Sequence, residues 1–159
     1  MSTFAVAICR EGGRWQCDLL PPAVLDDLEH CIAALRQQPS EGGPVALLNV
    51  EDEFFVALRI RPDTSVALML SDATAAVDWD LARQVAEFLG EDVPDGEDTD
   101  EIWPVGDLDL FADLGLPGDE MRMIVDNIEL YADEMLAFVA GSLGCGTEFE
   151  SAVETLSSR

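Results

Sequence analysis

Apolar positions along the first ninety residues follow two rhythms, one of short strands and one of helical stripes. Residues Thr3–Cys9 (T-F-A-V-A-I-C) are short, apolar and rich in strand formers. Gly12-Gly13 is a hairpin turn signal, and the chain returns as a second strand over Trp15–Leu19. Pro21-Pro22 ends that strand. From Ala23 to Gln37, Leu25, Leu28, Ile32 and Leu35 recur at helical spacing and form one apolar face. Asp26, Asp27 and Glu29 fall in the first turns, where the helix dipole favours carboxylates, and Pro39, Gly42 and Gly43 close the helix. Three strands follow in quick order, Val45–Val50, Phe54–Ile60 and Ser65–Leu70, joined by Glu51-Asp52-Glu53 and Arg61-Pro62-Asp63. Connections this short predict an antiparallel meander. A second helix is predicted over Thr74–Leu89, with Asp72 or Asp78 as its cap. Leu81, Ala82, Val85, Phe88 and Leu89 form its apolar stripe, and Gly90 is its stop. The order β-β-α-β-β-β-α predicts an α+β fold for residues 1–90: an antiparallel sheet of about five strands with two helices packed on it.

The pattern then changes. Glu91–Glu101 (E-D-V-P-D-G-E-D-T-D-E) has seven acids in eleven residues and reads as a solvated acidic linker. Residues 102–159 read as a small helical C-terminal segment. Ile102-Trp103-Pro104 is apolar enough to dock on the first module. Leu108, Leu110, Phe111 and Leu114 predict a short helix ending at Gly115, and Met121, Ile124, Val125 and Ile128 predict another. Met135, Leu136, Val139 and Leu143 predict a third, stopped by Gly144, and Phe149, Val153 and Leu156 a weaker last one. These hydrophobes are too few for an independent core, so the segment is expected to pack on the sheet module or on a partner.

Charge changes the picture more than length does. The 159 residues hold 33 acids against 8 basic residues, a net charge of −25. Every basic residue is an arginine. Residues 1–90 carry 14 acids and 6 arginines, and residues 91–159 carry 19 acids and 2 arginines, so the second half is the more acidic. Such a polyanion repels phosphate backbones, which argues against direct nucleic-acid binding. It is steered instead toward basic surfaces, including those of nucleic-acid-binding proteins. With 48% hydrophobic residues the chain has material for a core and does not read as disordered. No apolar run reaches the roughly 18 residues of a membrane span, and no signal peptide is evident. Cys9, Cys17, Cys31 and Cys145 form no C-x-x-C pair. The expectation is a cytoplasmic protein with reduced thiols and no membrane contact.

Candidate chemistry is sparse. Cys9 and Cys17 flank the Gly12-Gly13 turn and are placed to face each other across the hairpin, with His30 and Cys31 on the following helix. Their spacing matches no standard zinc pattern, and small buried hydrophobe is the commoner role of free cysteine. The acidic tract lacks the ligand alternation of a calcium loop, because Val93-Pro94 precedes Asp95-Gly96. Asp107 and Asp109 read as a helix N-terminal pair rather than a metal clamp. One histidine and no active-site signature support no catalytic triad. No phosphate-binding glycine loop is present. No catalytic residue, cofactor or metal ligand is therefore assigned. Trp15, Phe54, Phe55, Trp79 and Trp103 are anchors for a core or an interface. Phe54 and Phe55 are adjacent on a strand and must point to opposite faces, and core packing of both is the expectation.

The order of segments carries a resemblance. Phe4–Ile8 (F-A-V-A-I) is followed by Leu25–Glu29 (L-D-D-L-E), then by Pro44–Ile60 (P-V-A-L-L-N-V-E-D-E-F-F-V-A-L-R-I) and Leu68–Ala76 (L-M-L-S-D-A-T-A-A). After the acidic linker come Asp109–Pro117 (D-L-F-A-D-L-G-L-P) and Ser142–Val153 (S-L-G-C-G-T-E-F-E-S-A-V). Over nearly its whole length the chain resembles the actinobacterial tRNA adenosine deaminase-associated proteins, a family named for being encoded beside that enzyme. The resemblance implies an accessory role and brings no catalytic residues with it. Zinc deaminase chemistry needs a His or Cys ligand, a P-C-x-x-C pair and a glutamate two residues after the histidine. Here His30 is followed by Cys31 and Ile32, and P-C-x-x-C is missing, so the chain is not expected to be an enzyme.

The expected function is that of a non-catalytic interaction protein that binds tRNA adenosine deaminase, or another basic RNA-handling protein, through an acidic surface. Contact is expected first at Glu51, Asp52 and Glu53, held on a tight turn, and second at Asp95, Glu97, Asp98, Asp100 and Glu101. The alternative assignment is a small-ligand or metal-responsive regulatory domain without nucleic-acid contact. Oligomeric state is not legible from the pattern.

Overall fold

A computed structural model describes residues 3–92 and 103–157. Six antiparallel strands form one sheet in the order β2-β1-β3-β4-β5-β6. They are β1 (Phe4–Glu11), β2 (Arg14–Leu19), β3 (Val45–Val50), β4 (Phe54–Ile60), β5 (Val66–Leu70) and β6 (Val105–Gly106). The five α-helices of the described residues are α1 (Leu28–Arg36), α2 (Asp80–Leu89), α3 (Gly118–Val125), α4 (Ala132–Leu143) and α5 (Gly146–Ser157).

Every residue of β3 and β4 is buried, which requires cover on both faces of the sheet. α1 and α2 pack on one face, over Ala5, Ala7, Leu48, Phe54, Val56 and Leu58. The C-terminal helices pack on the other, over Phe4, Val6, Ile8, Leu47, Phe55 and Met69. Phe54 and Phe55 thus anchor opposite cores, as strand alternation requires. Phe54 meets Trp79 with ring centroids 5.9 Å apart, and Phe4 meets Phe149 at 6.0 Å.

The hairpin turn at Gly12-Gly13 uses φ of +60° and +77°, which glycine adopts without steric cost. Its register sets Ile8 opposite Cys17 and Cys9 opposite Gln16. Cys9 and Cys17 are one register step apart and point to opposite faces, which corrects the expectation that they meet. Each expected N-terminal helix is divided. Pro22–Leu25 makes a 3-10 turn, and Asp27 (φ −148°) leaves helical geometry to cap α1, accepting from Glu29 N at 3.0 Å. Leu28 N finds its partner on α2 instead, donating to Gln84 Oε1 at 2.8 Å. Likewise Ala73–Val77 is a 3-10 turn capped by Asp72, and α2 starts only at Asp80, after the extended Trp79. Gly90 ends it in the left-handed region.

The sheet has six strands where the pattern predicts about five. β6 is a two-residue piece, Val105 opposite Leu70 and Gly106 opposite Met69. It carries no strand-like alternation to read. Gly106 (φ +103°) fits because a Cβ there would strike the Leu68 carbonyl and lie 2.8 Å from Met69 Cα. The following chain is held by two arginines of β4 and its turn. Arg59, only 3% exposed, donates to Gly42 O at 2.7 Å, to Leu110 O at 2.9 Å and to both carboxylate oxygens of Asp113. Arg61 pairs with Asp107 at 2.5 Å. The short helix expected before Gly115 is the 3-10 turn Ala112–Leu114. α3 ends at Val125, leaving Ile128 outside any helix and 91% exposed.

Candidate functional site

The β3–β4 connection holds two of the three non-glycine residues with positive φ among the described residues, the third being Thr64 in the β4–β5 turn. Glu51 (φ +54°) and Asp52 (φ +59°) both occupy the left-handed region that side chains with a Cβ disfavour. Glu53 N donates to Val50 O at 2.9 Å and closes the turn. Three further bonds hold this shape. Glu51 N donates to Thr3 Oγ1 at 3.0 Å, Asn49 Nδ2 donates to Asp52 Oδ1 at 2.7 Å, and Ala132 N, at the start of α4, donates to Asp52 O at 3.2 Å. The last bond joins the turn to the C-terminal helices. A conformation that costs energy, fixed from three directions, presents the three acids in one geometry.

That junction opens a groove of about 350 Å³. Asp52 and Glu53 line one side, with Ser71 and Asp72 from the end of β5. Asp126, Asn127, Ile128, Tyr131 and Met135, from the α3–α4 connection and α4, line the other. Every charged residue in this lining is acidic. Some of these groups are engaged within the fold. Asp72 accepts from Thr74 N at 2.9 Å, Asp126 pairs with Arg122 at 3.1 Å, and Ser71 Oγ accepts from Phe55 N at 2.9 Å. Asp133, on the first turn of α4, has its carboxyl pushed above the usual aspartate range by burial and by the Asp52 charge. The carboxylates of Asp52, Glu53, Asp72 and Asp126 make the groove acidic. Two large apolar side chains stand in it, Tyr131 at 67% and Ile128 at 91% exposure. A second hollow of about 240 Å³, on Glu51, Asp52, Glu53 and Tyr131, adjoins the same turn.

Of the acids expected to make contact, Asp52 and Glu53 line this groove, and Glu51 joins them only in the adjoining hollow. Asp95, Glu97, Asp98, Asp100 and Glu101 lie outside the described residues. Sequence reading missed Tyr131, Ile128, Asp126 and Asp133, because only the docking of α4 against the β3–β4 turn makes them neighbours. The one available signal was Ile128, whose helical spacing with Ile124 and Val125 hid the fact that it serves no core.

Three of the four cysteines sit where the thiol is favoured over the thiolate. Burial pushes the Cys31 thiol up to about 12. Cys17 is raised first by a hydrogen bond with Cys145 and then by burial, and Cys9 is raised by burial and by Asp18. His30 is exposed on α1. Among the described residues no group of three or more His, Cys, Asp and Glu side chains is placed to hold a metal ion. No described helix is long and apolar enough to cross a membrane.

A six-stranded sheet covered on both faces, with an acidic groove edged by exposed apolar side chains, defines an acidic α+β protein. The chain belongs to the Rv3753c-like tRNA adenosine deaminase-associated protein family, whose pattern it matches over residues 3–146. It is 40% identical over 155 residues to Protein Rv3753c of Mycobacterium tuberculosis, an alignment spanning 96% of this chain and 88% of that protein. The family description names an association with the deaminase rather than deamination itself. No solved structure matches the chain.

Proposed function

We propose that this protein is a non-catalytic accessory factor that docks a basic segment of a tRNA adenosine deaminase, or of another basic RNA-handling protein, in the groove between the 51–53 turn and the start of α4. The observation that carries this reading is the pairing of an all-acidic charged lining with exposed Tyr131 and Ile128 in one groove. Carboxylates steer a basic partner and set its register, while a buried aromatic supplies most of the attachment energy. An enzyme that binds tRNA must present a positive surface to the phosphates, and a groove of this charge fits such a surface. The family's named association with the deaminase supports the same partner. The acids of 91–101 add long-range attraction for a basic partner.

The test is co-purification with the same organism's tRNA adenosine deaminase, followed by native mass spectrometry and titration calorimetry at low and moderate salt. A defined complex is expected, weakening as salt rises. Tyr131→Ala is expected to weaken it about thirtyfold or more, as for an interface anchor worth about 2 kcal/mol. No complex at either salt, or a complex unaffected by both salt and Tyr131→Ala, would refute the reading.

A further inference from the structure

The sheet has one long open edge. β6 closes the other side with two residues, but β2 presents six, with no strand beyond it among the described residues. The tight turn makes Glu11 and Arg14 a hydrogen-bonded pair, and the same parity returns at Leu20, whose N–H donates to Ala5 O at 2.8 Å. Arg14, Gln16 and Asp18 therefore direct their backbone groups at β1. The N–H and C=O groups of Trp15, Cys17 and Leu19 point away from the sheet, and none has a hydrogen-bond partner among the described residues. α5 covers one face of β2, through Trp15, Cys17 and Leu19. Gly144, just before α5, sits close enough that a Cβ there would lie 3.4 Å from the Trp15 indole nitrogen.

Soluble proteins usually guard such an edge with charge. Here the charges have an arrangement that does the opposite for one particular visitor. Arg14 and Asp18 are exposed, on the same face, and two residues either side of Gln16. If a second β2 is laid antiparallel along the first with Gln16 opposite Gln16, Arg14 of each copy falls opposite Asp18 of the other. In that register Trp15 and Cys17 of opposite copies face each other, and both are residues whose backbone groups are free, so the ladder bonds are in phase. Arg14–Asp18 then occupies the closer, non-hydrogen-bonded pair sites, where cross-strand ion pairs act best. Registers displaced by two residues also match hydrogen-bond parity, but they set Arg14 opposite Gln16 or Leu20 and lose both ion pairs. The hairpin is also a balanced stretch of a strongly acidic chain. Residues 10–19 hold Arg10, Arg14, Glu11 and Asp18, while the whole carries −25. A second copy approaches here with less repulsion than at the carboxylate-rich C-terminal half.

We infer that two copies of this chain associate through their β2 edges, antiparallel about a two-fold axis at Gln16, joining two six-stranded sheets into one of twelve. The interface is isologous, with each Arg14 paired to the Asp18 of its partner copy. It lies on an edge strand separated by β1 from β3 and its 51–53 turn, so it is independent of the groove proposed for the basic partner.

The test is sedimentation velocity of the full chain over a concentration series, with circular dichroism to confirm that each variant is folded. The wild type is expected to shift from monomer toward dimer as concentration rises. Arg14→Asp and Asp18→Arg each place like charges opposite one another twice per dimer and are expected to weaken association about tenfold or more. The double swap Arg14→Asp with Asp18→Arg re-forms both pairs with signs exchanged and is expected to restore it. Gln16→Cys is expected to give a disulfide-linked dimer under a mild thiol oxidant, where the wild type gives none. A monomer at every concentration overturns the inference. So does a dimer that survives either single charge reversal, a folded double swap that fails to recover association, or Gln16→Cys chains that do not cross-link.

Discussion

The turn at 51–53 separates stability from binding, and two substitutions measure the separation. A residue with a Cβ held in the left-handed region costs roughly 1–2 kcal/mol relative to the right-handed one. Glycine removes that cost but adds freedom to the unfolded chain, worth about 0.4–1 kcal/mol in the other direction. The Glu51 side chain makes no bond among the described residues, and its backbone N–H to Thr3 survives substitution. Glu51→Gly should therefore stabilise the fold by about 0.5–1 kcal/mol, a rise in Tm of about 1–4 °C for a domain of this size. Asp52→Gly relieves the same kind of strain (φ +59°). It also strips the acceptor from Asn49, which is fully buried and donates to Asp52 at 2.7 Å. Losing a buried hydrogen bond costs about 1–3 kcal/mol, so Asp52→Gly should be neutral to destabilising by about 2 kcal/mol once the relief is set against it. Urea denaturation monitored by tryptophan fluorescence gives both values. Asp52→Gly removes a carboxylate from the groove and Glu51→Gly one from the adjoining hollow, and each should weaken binding of the basic partner. Glu51→Gly is the decisive case, since it should gain stability and lose affinity together. A destabilised Glu51→Gly protein would refute the strain argument, and unchanged affinity in both variants would remove the turn from the contact surface.

Three further outcomes follow from the same structure. Arg59→Ala leaves the Gly42 and Leu110 carbonyls without their shared donor and should cost about 1–3 kcal/mol for each in denaturant unfolding; Asp113 contributes little, because its carboxylate is mostly exposed. Gly43→Ala places a Cβ against the Ile60 carbonyl at φ +92° and should destabilise by at least about 2 kcal/mol, whereas Gly12→Ala, with open space around it, should suffer only the backbone term of about 1 kcal/mol. Asp133 has a folded-state pKa raised above its unfolded value, so it opposes folding once ionised, and stability should rise as pH falls from its folded pKa toward 3.8. Asp133→Asn should flatten that rise and stabilise the protein at neutral pH, measured as Tm across the acid range; a cationic partner near Asp133 favours the ionised form, so its affinity should fall over the same interval.

Much of this molecule is written locally. The strands at 4–9, 45–50, 54–60 and 66–70, the turn at Gly12-Gly13 and the stops at Gly90, Gly115 and Gly144 follow from apolar alternation and from glycine's tolerance of positive φ, both properties of a few adjacent residues. The family and the acidity are likewise legible in the chain. What depended on distant residues was not. The helix expected from 23 to 37 starts at Leu28 because Gln84, on another helix, accepts the Leu28 N–H, and β6 exists because β5 offers an edge to two residues with no strand pattern of their own. Cys9 and Cys17 look like neighbours by spacing, yet a register step places them on opposite faces. The groove depends on tertiary contact in the same way: Glu51–Glu53 can be read as an acidic turn, but Tyr131, Ile128 and Asp126 become part of it only when α4 docks its first N–H on the Asp52 carbonyl. Local pattern determines which segments are strand, helix or turn, because those preferences act over one or two turns of chain. Which surfaces meet is decided by burial of both sheet faces at once, a condition that no single segment contains.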